Sequence, residues 1–299
     1  MKLAATCFLL LAACVTASTQ EPDTTISVSV RLVNVFVTVT DNHGAPVGGL
    51  KKENFILKED DREQKISIFD KESELPLSIV LGIDTSLSTR KDLPLELASA
   101  RRFVRAILRP VDAVSLYEFS EVVNEMTPFT SDQKRIDRAI GMIQHGAATA
   151  LYDALYLGAR ALQRRDGRKV MVVITDGGDT VSTVSYQEAV RAAQQAEAIV
   201  YSIIIVPIEA SAGRDTGGEH ALIQLSEDTG GRHFYAKSES ELDAAFKQIS
   251  DELRTQYLLA YYPSKKLSDA PFRRIEVDIH GSPIPVKARH RTGYYSFRD

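Results

Sequence analysis

Two short apolar runs, each of which stops at an acidic residue, constrain the fold of this chain most. Residues 77–83, Leu-Ser-Ile-Val-Leu-Gly-Ile, precede Asp84, and residues 169–175, Lys-Val-Met-Val-Val-Ile-Thr, precede Asp176. Runs of this length that are rich in Val and Ile and lie between helical patterns are typical of parallel strands buried on both faces. The sequence therefore predicts an α/β fold, with a doubly wound, mostly parallel sheet flanked by helices.

Oxygen-bearing side chains gather where these predicted strands end. Ligands of an open parallel sheet bind beyond the carboxyl ends of its strands, which is where Asp84 and Asp176 are expected. Residues 84–88, Asp-Thr-Ser-Leu-Ser, and residues 146–153, Gly-Ala-Ala-Thr-Ala-Leu-Tyr-Asp, supply hydroxyl groups as well. Mg²⁺ and Ca²⁺ prefer oxygen ligands, and the absence of His and Cys from these stretches disfavours zinc or copper. The predicted ligands are Asp84, Ser86, Ser88, Thr149 and Asp176.

This pattern resembles a known cation site. Asp84-x-Ser86-x-Ser88, the distant Thr149 and Asp176-Gly177 resemble the metal-ion-dependent adhesion site of von Willebrand factor A domains, over about residues 77 to 250. The resemblance implies a Rossmann-like fold and a bound Mg²⁺, Mn²⁺ or Ca²⁺. It also implies that the two serines and the threonine contact the metal, that the aspartates act largely through water, and that an acidic residue of a protein partner completes the coordination.

The sequence departs from the family pattern in the segment just before Thr149, which we call the threonine loop. Ala147-Ala148 stands where the family often has Gly-Gly. We expect the two alanines to stiffen the loop. The prediction of direct metal contact therefore rests more on the two serines than on Thr149.

Each fragment also allows an ordinary structural interpretation. Residues 84–88 could be a turn whose side chains cap backbone N–H groups, and Thr149 could be the N-cap of a helix that begins near Leu151. Asp153 and Asp179 are candidates for orienting hydroxyls or metal-bound water, or else are loop carboxylates. Residues 81–86 superficially resemble an aspartic protease signature. Those enzymes need two carboxylates that share a proton on a β-rich scaffold, and the repeated helix patterns of this sequence argue against such a scaffold.

The N-terminus has the features of an export signal. Lys2 and an apolar stretch lead to Leu11-Ala-Ala-Cys14, which resembles the lipobox of bacterial lipoproteins. We therefore predict a signal peptide with lipobox at residues 1–14, lipidation at Cys14, and a polar tether at residues 15–25. The alternative is ordinary signal-peptidase cleavage after Ala17. Both cysteines, Cys7 and Cys14, fall within this segment.

Short alternating segments flank the predicted A domain, residues 76–254. The pattern from Ile26 to Thr40 is typical of half-buried strands, and further strand-sized runs lie in both the N-terminal segment, 26–75, and the C-terminal segment, 255–299. Neither segment can bury much surface alone, so we predict that they pair into one β-sandwich-like domain. This order, ending in Gly293-Tyr-Tyr295, also resembles an A-domain-related family of exported proteins common in Acidobacteria.

Two helix starts inside the A domain are well signalled. Ser185 with Glu188, and Ser238 with Glu241, have the spacing of capping boxes. Apolar residues then recur at helical spacing from Leu242 to Ile249, which is typical of a helix face packed on a core.

The motif favours a binding protein over an enzyme, because it supplies hydroxyls and not a general base. The formal net charge of −4 gives no general attraction to nucleic acid, and membrane contact is expected only through the N-terminal lipid anchor. We expect an exported module of the bacterial periplasm or outer envelope that binds an acidic protein partner through its metal. The alternatives are a metal-stabilised scaffold and a metal-dependent hydrolase, which would need a general base near the metal.

Overall fold

The computed structural model describes residues 32–71, 75–89, 91–206, 216–264 and 272–295. The predicted signal peptide, Cys14, the tether and the start of the N-terminal β segment lie outside the described residues.

The secondary structure follows the predicted order of a β flank, an alternating α/β region and a second β flank. The first flank comprises β1 (Val33–Asp41), β2 (Phe55–Glu59), β3 (Arg62–Glu63) and β4 (Ile66–Lys71). The central region comprises β5 (Leu77–Asp84), α1 (Leu93–Ile107), β6 (Ala113–Phe119), β7 (Val123–Thr130), α2 (Gln133–Gly141), α3 (Leu151–Gln163), β8 (Arg168–Thr175), α4 (Tyr186–Gln195), β9 (Ile199–Ile205), α5 (Thr216–Asp228), β10 (Arg232–Ala236) and α6 (Glu239–Thr255). The second flank comprises β11 (Tyr257–Tyr261), β12 (Phe272–Ile279), β13 (Val286–Arg289) and β14 (Gly293–Tyr295).

The central sheet has the strand order β10-β9-β8-β5-β6-β7. Every neighbouring pair is parallel except the edge pair of β6 and β7, which is antiparallel. The first strand of this sheet in chain order, β5, lies in its middle, and later strands are added on both sides of it, as in a doubly wound fold. The predicted fold class is confirmed.

Alternate side chains of the central strands pack into two separate cores, one on each face of the sheet. On β5, Ile79, Leu81 and Ile83 face the core formed with α1, α2 and α6, whereas Val80 faces the core formed with α3, α4 and α5. Because side chains alternate along a strand, a continuous apolar run such as 77–83 fills both cores. Burial of each such side chain contributes about 1.5–3 kcal/mol to stability, and this packing fixes where β5 and β8 end.

The two flanks form a β-sandwich, as predicted. One sheet has the order β13-β1-β11-β4 and the other β14-β12-β2-β3, so each contains strands from both flanks. Apolar residues of both sheets form a single buried cluster. Within the sandwich, Arg273 lies 2.5 Å from the carboxylate of Glu59, which also accepts hydrogen bonds from the hydroxyls of Tyr261 and Tyr294.

The predicted helix starts are present with one difference. Ser185 forms a complete capping box with Glu188 at the start of α4. Ser238 caps α6 by accepting from the Glu241 backbone N–H, but the Glu241 carboxylate accepts from the N–H of Lys237 instead of that of Ser238. No helix in the described part of the chain is both long and apolar enough to cross a membrane.

Candidate functional site at the carboxyl edge of the central sheet

Asp84 and Asp176 lie where two neighbouring strands end. Strands β5 and β8 pair in parallel with Ile83 opposite Ile174, so the next residues, Asp84 and Thr175, are neighbours at the carboxyl edge. The Thr175 hydroxyl donates to Asp84 Oδ2 at 2.6 Å. Thr175 is thus a buried partner of the site that the sequence motif did not single out.

The Asp84 carboxylate is fully buried. Its second oxygen, Oδ1, accepts from the Ser86 N–H at 2.9 Å. Burial raises the pKa of Asp84 to about 6, although the bonds from Thr175 and Ser86 act in the opposite direction and nearby Asp176 adds to the rise. A carboxylate withdrawn from water in this way is electrostatically suited to a cation.

The segment that carries Ser86 and Ser88, residues 85–89, turns back over the end of β5; we call it the serine loop. Residues Leu87–Thr89 form a short 3₁₀ helix, and the Thr89 hydroxyl donates to the carbonyl oxygens of Asp84 and Ser86, both at 3.1 Å. This turn places Ser86 Oγ 3.0 Å from Ser88 Oγ. Asp84 does cap its own turn, so the ordinary interpretation of residues 84–88 is partly right, but the two serine hydroxyls also lie side by side as cation ligands would.

The threonine loop is fastened to both neighbouring strand ends. The Gly146 N–H donates to the Thr85 carbonyl at 2.8 Å, and the Thr149 N–H donates to Thr180 Oγ1 at 2.9 Å. Helix α3 begins at Leu151 with Ala150 as its N-cap and with no side-chain cap. Thr149 is therefore not the helix cap, and among the described residues the hydrogen bonds that hold it use only its backbone.

The alanines of this loop have a specific partner. The N–H groups of Ala147 and Ala148 donate to one carboxylate oxygen of Glu121, at 2.8 and 3.4 Å. The bond from Ala147 and then the other backbone bonds lower the pKa of Glu121 to about 2. Ahead of the alanines, a Cβ on Gly146 would lie 2.1 Å from Ser120 Cβ, so only glycine fits there.

Asp176 lies half-buried at the start of a tight turn. Its Oδ1 accepts weakly from the Gly178 N–H at 3.4 Å. Gly177 has a φ of +96°, and a Cβ there would lie 3.2 Å from the backbone of Glu219 at the start of α5. Glycine thus allows both the left-handed backbone that turns the chain after Asp176 and the approach of α5.

Asp153 and Asp179 hold the loop that follows β8. Asp153 accepts from the N–H groups of Thr183 and Val184, and Asp179 accepts from the Tyr152 N–H and the Ser182 hydroxyl. These contacts are those of loop carboxylates. Their proposed role in orienting hydroxyls or metal-bound water stays a prediction.

The sequence motif did not single out Glu121, nor a second acidic residue beside the site, Glu96. Glu96 on α1 is 1% exposed, and among the described residues neither of its carboxylate oxygens has a hydrogen-bond partner. Burial raises its pKa well above the ordinary value, and the charges of Asp84, Asp92 and Asp176 raise it further. A signal was present: Glu96 falls on the apolar stripe of α1, between Leu93 and Ala100, where a core residue is expected.

The donor set fits a hard divalent cation. Two carboxylates and three hydroxyls occur on three loops that hydrogen bonds tie together, and they come from Asp84, Ser86, Ser88, Thr149 and Asp176. Among the described residues, no group of three or more His, Cys, Asp or Glu side chains is placed to hold one metal. The donor set instead relies on hydroxyls, and Mg²⁺ is usually bound through only one or two carboxylates together with water.

Comparison with known proteins agrees with the fold. Residues 79–178 match the von Willebrand factor type A domain family, and no curated protein matches the chain. The solved structure of a von Willebrand factor type A protein from Catenulispora acidiphila is similar, with 10% identity over 86% of this chain and 73% of that chain and a TM-score of 0.53.

Other similar structures include the conserved hypothetical protein BatB from Bacteroides thetaiotaomicron, with 21% identity over 60% of this chain and 100% of that chain and a TM-score of 0.48. The vWF domain of the type V pili tip protein Mfa5 from Porphyromonas gingivalis has 14% identity over 59% of this chain and 94% of that chain, with a TM-score of 0.48. The family match is thus confined to the central α/β region, and the likeness to the Catenulispora acidiphila protein is one of fold.

Proposed function

We propose that this protein is a non-catalytic binding module whose A domain takes an acidic group of a protein partner through a divalent cation. The observation that supports the proposal most is the side-by-side placement of Ser86 Oγ and Ser88 Oγ, 3.0 Å apart, in the loop that follows buried Asp84. Neutral hydroxyls bind a cation without cancelling its charge. The ion in such a site stays attractive to an outside carboxylate.

The residues divide into two groups in this proposal. Ser86, Ser88 and Thr149 would contact Mg²⁺, with Mn²⁺ or Ca²⁺ as alternatives, and Asp84 and Asp176 would act largely through bound water. Thr175 orients Asp84 through its 2.6 Å hydrogen bond. The cation supplies the positive charge that a partner's Asp or Glu side chain meets.

A rim of exposed apolar side chains adds support for a protein partner. Leu87 is 56% exposed, Val122 is 55% exposed and Val181 is 44% exposed. They lie in the serine loop, the β6–β7 turn and the loop after β8, which are the segments that surround the proposed cation site. An acidic residue flanked by apolar groups would suit this surface better than a free anion would.

The test is selection of displayed random peptides on the full chain in Mg²⁺, compared with selection in EDTA. We expect Mg²⁺-dependent peptides that share an Asp or Glu, whose replacement by Asn or Gln abolishes binding. The Ser86→Ala protein should fail to bind them while remaining folded. Peptides that bind equally in EDTA, or that need no acidic residue, would contradict the proposal.

The melting temperature with and without EDTA, taken together with the peptide selection, separates the scaffold alternative. If the cation served stability alone, chelation would lower the melting temperature and no Mg²⁺-dependent acidic peptide would be found.

We also propose that the protein is exported and held at the cell envelope by a lipid on Cys14. The sequence Leu11-Ala-Ala-Cys14 supports this placement. Labelled palmitate should be incorporated into the wild-type protein and not into the Cys14→Ser variant. Equal labelling of both would contradict lipidation at Cys14, and release of a mature chain that begins at residue 18 would favour ordinary cleavage.

A further inference from the structure

Glu96 carries a carboxylate that is buried in the first turn of α1. It is 1% exposed, and among the described residues both of its oxygens lack a hydrogen-bond partner. Other buried carboxylates of the described chain are paired, such as Glu59 with Arg273 and Glu252 with Arg289. A buried carboxylate without a partner is costly, so a group that binds it is expected.

The local backbone places Glu96 next to the candidate cation site. The Thr89 hydroxyl binds the carbonyls of Asp84 and Ser86, the Asp92 N–H donates to the Thr89 carbonyl, and the Glu96 N–H donates to the Asp92 carbonyl. This chain of bonds ties the first turn of α1 to the serine loop. The carboxylates that act electrostatically on Glu96 include Asp84 and Asp176 of the site.

We propose, on the basis of the proposed function, that Glu96 is a third carboxylate of the cation site and acts on the ion through a bound water. Direct coordination is disfavoured because, in the part of the chain that the structure describes, no three acidic side chains are placed to hold one metal. A water between Glu96 and the ion would satisfy the carboxylate and keep a position open for the partner. Glu96 would then raise cation affinity by adding negative charge behind the two aspartates.

The experiment is calorimetric titration of the full chain with Mg²⁺ and Mn²⁺, comparing wild type, Asp84→Asn, Glu96→Gln and Glu96→Leu. We expect Glu96→Gln to weaken cation binding by about 10- to 100-fold, as loss of a residue that orients a metal-bound group does. Glu96→Leu should weaken it similarly and should also leave the metal-free protein at least as stable as wild type, because the unpaired carboxylate is gone.

Glu252→Gln is the matched control, since Glu252 is equally buried but is paired with Arg289. It should lower the melting temperature and leave cation affinity unchanged. The rise in melting temperature that Mg²⁺ produces is a second measure, and it should shrink in the two Glu96 variants but not in Glu252→Gln. A merely structural role of Glu96 would shift the melting temperature equally with and without Mg²⁺.

The outcomes are distinct for the two proposals. If wild type binds the cation, Asp84→Asn does not, and both Glu96 variants bind within two-fold of wild type, the Glu96 proposal is overturned and the site stands. If wild type binds none of Mg²⁺, Mn²⁺ and, in a third titration, Ca²⁺, the proposed function and the role of Glu96 both fail.

Discussion

At the scale of single residues, the hydrogen bond from Thr175 to Asp84 is the contact that most clearly prepares the site. Replacement of Thr175 by Val keeps the side-chain shape and removes the hydroxyl that donates to buried Asp84. We expect the free energy of unfolding of the metal-free protein to fall by about 1–3 kcal/mol, because a buried acceptor loses its partner. Chemical denaturation in EDTA measures this change.

Ser202→Ala is the control for Thr175→Val, because Ser202 is a buried hydroxyl of the next strand, β9, and bonds to Ser226. Both variants should lose stability, and only Thr175→Val should also weaken Mg²⁺ binding. Equal Mg²⁺ affinity in wild type and Thr175→Val would show that Asp84 needs no orientation.

The serine hydroxyls are predicted to matter for binding and little for folding. Ser86→Ala and Ser88→Ala each remove one oxygen that would contact the cation, while the turn is still held by Thr89. We expect each variant to melt within a few degrees of wild type in EDTA and to bind Mg²⁺ at least about ten-fold more weakly. A large loss of metal-free stability in either variant would instead indicate a structural role for the pair.

At the scale of elements, the threonine loop is held by its fit against the β6–β7 turn. Gly146→Ala would place a methyl group 2.1 Å from Ser120 Cβ, so the loop must move and Thr149 with it. We expect weaker Mg²⁺ binding and lower stability. The double variant Gly146→Ala with Ser120→Gly removes the clashing atom and should recover most of both, and no recovery would rule out this clash as the cause.

The same loop gives a prediction about pH. Glu121 has a pKa of about 2 in the folded protein, below its ordinary value of 4.5, because its carboxylate accepts from Ala147 and Ala148. A depressed folded-state pKa gives stability that is present above pH 4.5 and is lost as the pH falls toward about 2. Hydrogen exchange of the Ala147 and Ala148 amides should therefore quicken, relative to the intrinsic rate, over this range.

Glu121→Gln should make that protection low and nearly independent of pH in the same range. Glu188→Gln is the control, because Glu188 also has a lowered pKa but caps α4 at Ser185. Protection of the threonine loop that falls with pH equally in Glu121→Gln and in wild type would contradict this account.

The elements show what the sequence could and could not predict. The apolar runs at β5 and β8 predicted buried parallel strands because both faces must be covered, and the Ser185 capping box predicted the start of α4 through purely local bonds. Thr175 and Glu121 were missed because their partners depend on tertiary placement, and Glu96 was missed because its position beside the site does too. Of these three, only Glu96 had a sequence signal, its place on an apolar helix stripe.

At the scale of the whole molecule, the β-sandwich and the A domain contact each other through buried polar groups. The Glu252 carboxylate of α6 lies 2.5 Å from Arg289 of β13, and Arg291, which follows β13, lies 3.5 Å from the carboxylate of Glu197, which follows α4. We expect thermal unfolding in a single cooperative transition.

Arg273→Met tests this coupling from within the sandwich. It leaves Glu59 buried without its cation, which should lower the free energy of unfolding by about 3–5 kcal/mol. Signals from both parts of the molecule should shift together, and Mg²⁺ affinity of the folded protein should not change. Two separate transitions, with only the sandwich destabilised, would contradict cooperative unfolding.

The most direct test of the whole account is calorimetric titration of the full chain with Mg²⁺, comparing wild type with Asp84→Asn. We expect saturable binding of one ion per chain in wild type and loss of that binding in the variant, with the fold retained. Absence of binding in wild type, or equal binding in Asp84→Asn, would contradict a cation site at the end of β5.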